Sequence, residues 1–196
     1  MKFKIRVNAP AILGFVGICF VVMLLSMIAG DFTKRIFITW HSSLTSPLTY
    51  LQFFIHVLGH ADWSHFFGNM VYILLLGPML EEKYGRKRIL QVMVITAFMT
   101  GVINYMFFWH VAICGASGIC FAFIILSSFT GVKEKEIPLT FIIVSAIFIG
   151  QQIYEGIAYD DNISNITHIV GGIVGGISGY LLNNMKNHTP TGDQHA

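Results

Sequence analysis

Ser117 lies in the stretch Ala112-Ile-Cys-Gly-Ala-Ser-Gly-Ile-Cys120, with Gly115 and Gly118 on either side and a setting otherwise apolar enough for lipid. A hydroxyl with glycines close by is sterically open, and a histidine within reach would make it a nucleophile. Two histidines in other apolar segments are candidates. His168 precedes a ladder of Gly171, Gly172, Gly175, Gly176 and Gly179, and His65 stands four residues before Asn69. That spacing puts His65 and Asn69 on one helix face, from which both can donate hydrogen bonds to a single developing negative charge. Taken alone, each signal is ambiguous. A serine in a membrane helix commonly bonds back to the preceding turn, and a His/Asn pair can simply link neighbouring helices. His168 carries more weight, because an ionisable group within a span is costly.

Composition sets the medium in which these groups must work. The 196 residues are 55% hydrophobic and only 11% charged, whereas a soluble domain has roughly a quarter of its residues charged. The chain is therefore read as an integral membrane protein whose first partner is the lipid bilayer. A net charge of +2 gives no nucleic-acid footprint. Cys19, Cys114 and Cys120 all fall in apolar stretches without metal-ligand spacing, so they read as small buried hydrophobes. No metal and no cofactor is called for.

Six apolar segments can carry the candidate residues. The spans are expected at about 11–30, 65–80, 89–109, 111–130, 139–157 and 166–182, making a six-helix domain over 11–183. Residues 1–10 form a basic N-terminus, and 184–196 read as a disordered tail. A cleaved signal peptide is the competing reading of the first apolar run, but such a core is about 7–15 residues long and ends in a small-x-small site. The long first loop, 31–64, mixes Trp40, Tyr50, Phe53, Phe54 and Trp63 with polar residues, which suits a partly helical segment in the headgroup layer. Ten of the 12 Lys and Arg residues fall on the side of the two termini, leaving only Lys34 and Arg35 opposite. The positive-inside rule then places both termini in the cytoplasm.

This topology gives each polar residue a depth. Spans two, four and six run in the same direction, so His65, Asn69, Ser117 and His168 fall within one slab of about 10 Å near the outer surface. The glycine ladder after His168 leaves one face of its helix nearly bare, which allows two backbones to approach closely. If the partner is the fourth span at Gly115 and Gly118, that approach brings His168 to Ser117 as a general base. Gly115 and Gly118 would then thin the fourth helix where the sixth meets it.

Three motifs carry a family resemblance. Gly115-Ala-Ser-Gly118, His65-Phe-Phe-Gly-Asn69 and His168-Ile-Val-Gly171 resemble the GxSG, HxxxN and HxxG signatures of rhomboid intramembrane serine proteases, in the family's order and over roughly His56 to Leu182. The resemblance implies an all-α, six-transmembrane-helix rhomboid bundle with a Ser–His dyad and no acidic third member. It implies Ser117 as nucleophile, His168 as general base and acid, and Asn69, His65 and the Ser117 backbone N–H as the oxyanion hole. It also implies supporting roles for Gly171 and Gly175, for His60 in pinning the first loop, and for Glu81 at the inner helix end. For Glu81, a solvated helix-end carboxylate is the equally open alternative. The sequence departs from the family at Leu51 and Gln52, where a Trp-Arg pair is frequent, and at Phe121, where a tyrosine often packs on the catalytic histidine. A phenyl ring can still stack on imidazole, so an altered histidine environment is expected.

The activity implied is endoproteolysis of transmembrane segments of single-span proteins near the outer face, by a multi-pass enzyme of the cell membrane, the bacterial plasma or inner membrane. The polar outer half of the fifth span, Gly150 to Gly156, is compatible with the family's lateral gate and equally with interfacial snorkelling. A catalytically inactive rhomboid-like protein that binds membrane helices is the alternative, although the usual loss of serine or histidine is absent. A transporter using His65 and His168 as a proton relay should show internal repeats and broken helices at mid-membrane, whereas no repeat is evident and the polar groups here cluster at one surface.

Overall fold

A computed structural model describes residues 7–131, 136–158 and 162–185. Over these residues the regular structure is eight α-helices, with one 3-10 turn at His56–Leu58 and no named strand. They are α1 (Pro10–Ala29), α2 (Asp31–Ile36), α3 (Pro47–Ile55), α4 (Trp63–Tyr84), α5 (Arg86–Phe107), α6 (Ser117–Ser127), α7 (Leu139–Ala158) and α8 (Asn162–Met185). The tail at 186–196, the first six residues and the lysines of the Gly131–Pro138 connection lie outside the described residues.

Among the described residues three helices are long and apolar enough to cross a membrane by length and composition: α1, α5 and the 165–184 portion of α8. Large side chains such as Ile28, Leu75, Phe107 and Ile147 stand exposed on the helix surfaces, which suits contact with lipid. The chain is thus an all-helical membrane protein. At 22 residues α4 has the length to cross, but His65 and Asn69 near its start and Glu81, Glu82 and Lys83 near its end dilute its hydropathy.

The fourth expected span, 111–130, needs correction. Helix α6 begins only at Ser117 and covers 11 residues. Residues before it are extended, because Ile113 pairs with Thr39 in an isolated antiparallel bridge through two N–H···O bonds of 2.9 Å. Asn104 of α5 holds this arrangement, donating from Nδ2 to the carbonyls of Thr39 (3.3 Å) and Val111 (3.1 Å). The long first loop is accordingly partly helical, in α2 and α3, and partly a strap laid against the segment that leads to the serine.

Short connections and close approaches set the bundle. Gly85, at φ +86, is the single residue between α4 and α5, a left-handed position that glycine adopts without strain. Helix α6 sits centrally, with Ile119, Ala122, Phe123 and Leu126 fully buried, and it packs against α4, α5 and most extensively α8. The α8 glycines make that last contact possible. A Cβ on Gly171 would collide with the Gly118 carbonyl, one on Gly175 with the Ala122 carbonyl, and one on Gly179 with the Phe129 ring. The expected backbone approach is therefore present, and the α8 glycines create it.

Candidate active site

Ser117 is the first residue of α6, following Ala116, which supplies no side-chain cap. The first backbone N–H groups of a helix have no intrahelical acceptor, and the helix dipole makes that end electropositive. The serine hydroxyl and these N–H groups are therefore delivered together. This differs from a serine inside the continuous span expected at 111–130, and it is the arrangement that suits an anion.

The turn before the helix is fixed from below. Gly115 has φ +113, and its N–H donates to the His56 carbonyl at 3.0 Å. A Cβ at Gly115 would lie 2.5 Å from His65 Cε1 and Nε2 and 3.4 Å from Asn69 Nδ2. Gly115 thus leaves open the space onto which the imidazole and the amide converge. It lies outside the helix, so it does not thin α6 as expected. Gly118 lies within α6, against Thr100 and the carbonyl of Thr167.

One cavity of about 780 Å³ is lined by His65, Asn69, Ser117 and His168, together with Gly115, Phe121 and Thr167. His65 lies in the first turn of α4, whose cap is Asp62: its Oδ1 accepts the His65 backbone N–H at 2.8 Å. Asn69 is buried at 7% exposure, with Oδ1 facing the Cys120 thiol at 3.6 Å. Its Nδ2 has no hydrogen-bond partner among the described residues. His168 is the seventh residue of α8, since the helix starts at Asn162 and not near residue 166. Its ring lies against Phe121, with centroids 4.3 Å apart and planes at 43°. The expected phenyl-on-imidazole contact is present in tilted form.

His60 is buried edge-on to His65 (5.1 Å, 68°) and to Phe66 (5.4 Å, 81°). Burial, with His65 nearby, holds its pKa down at about 4. It packs against His65, and other residues of the first loop add further ties. Gln52 Nε2 donates to the Arg35 carbonyl at 2.8 Å, and the Gln52 carbonyl meets His56 Nδ1 at 3.0 Å. A carbonyl can only accept, so Nδ1 carries the proton, and Nε2 lies 3.3 Å from Thr100 Oγ1, whose single proton is directed to the Thr96 carbonyl at 2.8 Å. Burial keeps this imidazole neutral, with a pKa near 4. Gln52 therefore ties the loop down without the family's arginine. His56, Thr100 and Cys120 escaped sequence reasoning, since each acts through a partner distant in the chain.

Glu81 lies at the other end of α4 and away from the cavity. It is buried, its Oε1 and Oε2 accept the backbone N–H groups of Ala11 and Ile12 at 3.1 Å each, and Arg86 Nε lies 3.6 Å from Oε1. The solvated alternative is excluded. Glu81 caps the start of α1, which has no cap of its own.

A family model described as the rhomboid domain matches residues 47–185. A protein named rhomboid protease GlpG, from Serratia proteamaculans (strain 568), is 24% identical over 170 residues, covering 85% of this chain. The chain spans 60% of the length of that relative.

Proposed function

Because the chain belongs to the rhomboid family, we propose that it is an intramembrane serine endopeptidase that cuts transmembrane segments of single-span proteins through a Ser117–His168 dyad. The observation that carries this reading is the convergence of Ser117, His168, Asn69 and His65 on one cavity, with an amide donor that has no partner among the described residues and a helix N-terminus without a side-chain cap beside the serine.

In this mechanism His168 takes the Ser117 proton as the hydroxyl attacks the scissile carbonyl. The oxyanion is held by the Ser117 backbone N–H at the start of α6, by Asn69 Nδ2 and by His65. His168 then returns the proton to the leaving amine, and water releases the acyl-enzyme. Phe121 limits the imidazole's orientations by packing on it without supplying a hydroxyl. A substrate helix must unwind locally, since a helical amide has its carbonyl bonded and covered, so small or helix-breaking residues near its outer end favour cleavage.

The bundle crosses the bilayer six times, the short α6 together with its extended approach making one crossing. Both termini are cytoplasmic and the site opens toward the outer face, a reading supported by the distribution of Lys and Arg. The protein is a multi-pass component of the bacterial plasma membrane. Helix α7 packs mainly against α8 and contributes Val144 and Ile147 to the cavity wall. That placement suits lateral entry of a substrate beside α7.

The test is cleavage of a model single-span substrate by the full chain in lipid vesicles. Wild type cuts near the outer end of the substrate segment, whereas S117A and H168A do not. Equal cleavage by S117A would remove the proposal.

A further inference from the structure

We propose that Cys120 is a positioning residue for the oxyanion donor: its thiol holds Asn69 Oδ1 so that Nδ2 is presented to the cavity. This rests on the assignment of Asn69 to the oxyanion hole.

The two ends of an asparagine amide are nearly identical in shape, so partners decide which end faces a site. Among the described residues Asn69 Nδ2 is buried with no partner. Among the described residues the Asn69 side chain meets Cys120, whose Sγ lies 3.6 Å from Oδ1 and 3.4 Å from the Asn69 carbonyl. The thiol has one proton, which these two oxygens share, and an amide Nδ2 turned toward it would offer no acceptor. The reversed amide would turn the Oδ1 lone pairs toward the space beside Gly115, where an oxyanion would be repelled.

Location supports the assignment. Cys120 stands three residues after Ser117 on α6, is 3% exposed and lines the same cavity as the serine. The helix that delivers the nucleophile thereby also sets the amide on α4. Serine at this position keeps a donor, while valine and alanine remove it.

The experiment measures kcat and KM on the model substrate for the full chain in vesicles, comparing wild type, C120V, C120A, C120S, N69A and N69A/C120V, with thermal unfolding of each. A neutral hydrogen bond at this strength predicts that C120V and C120A lower kcat about three- to tenfold with KM and melting temperature nearly unchanged. C120S recovers most of the loss, and C120V has no further effect once Asn69 is alanine. Should N69A be impaired while C120V and C120A match wild type, the positioning role is lost and the protease reading stands. Equal loss from C120V in both backgrounds, or a loss in C120S as large as in C120V, also overturns it. If wild type does not cleave, or N69A cleaves as wild type does, the inference falls together with the assignment beneath it.

Discussion

Helix α6 ends in two different ways. At its C-terminus the ammonium group of Lys83, brought from α4, donates to the carbonyls of Phe129 and Thr130 just beyond the last turn. Nearby on α4, Glu81 accepts two backbone N–H groups at the start of α1. That end is a cross-braced set of helix caps in which side chains from one helix satisfy the backbone of another. At its N-terminus α6 has no side-chain cap, faces a cavity, and stands near an asparagine amide with no partner among the described residues. A buried donor left unsatisfied costs free energy and so calls for an explanation, of which a ligand or a reaction is one. The braced end stabilises the bundle, and the open end is where the proposed chemistry sits.

The contrast breaks first, and most severely, at the serine. S117A should lower kcat by about 10⁴-fold or more, with thermal unfolding unchanged, because Ser117 provides no cap on which the fold depends. A large fall in melting temperature would make Ser117 a structural residue instead. N69A comes next, with a kcat loss of about 10²- to 10³-fold at constant KM, the range for removing one oxyanion donor. A rise in KM with kcat intact would instead assign Asn69 to substrate binding.

The braced end should respond in the opposite sense. E81A leaves two α1 N–H groups without an acceptor and should cost about 1–3 kcal/mol of stability, while kcat measured well below the melting temperature stays near wild type. Loss of activity in a folded E81A would show that the two ends are coupled. The smallest effect concerns pH and the loop beneath the site. His56 and His60 have folded-state pKa values near 4, below the ordinary value of about 6.5. The unfolded chain therefore takes up protons first as pH falls. Stability should be level above about pH 7 and fall by about 1 kcal/mol per histidine over the first unit below 6.5. A melting temperature unchanged between pH 7.5 and 5.5 would contradict the neutral, buried state of both.

Sequence and structure agree most closely where local chemistry decides. The glycines after His168 announce a bare helix face, and the structure seats Gly171 and Gly175 on the backbone of α6. His65 and Asn69 share a face because four residues make about one turn. The start of α6 was not legible. Val111, Ala112 and Ile113 are as apolar as the helix that follows, and the pairing that holds Ile113 extended comes from Thr39 in the first loop. Glu81 was ambiguous for a related reason, since its partners are main-chain N–H groups that no sequence pattern displays. The orientation of Asn69 depends on Cys120, which composition alone marks only as a small hydrophobe.

The central claim is that Ser117 is an activated nucleophile, and covalent labelling tests it most directly. The folded full chain in vesicles, treated with a fluorophosphonate and digested, should carry one phosphonyl group on Ser117, with labelling abolished in S117A and strongly reduced in H168A. Absence of the adduct in protein shown to be folded, or an adduct at another residue that persists in S117A, would contradict the account.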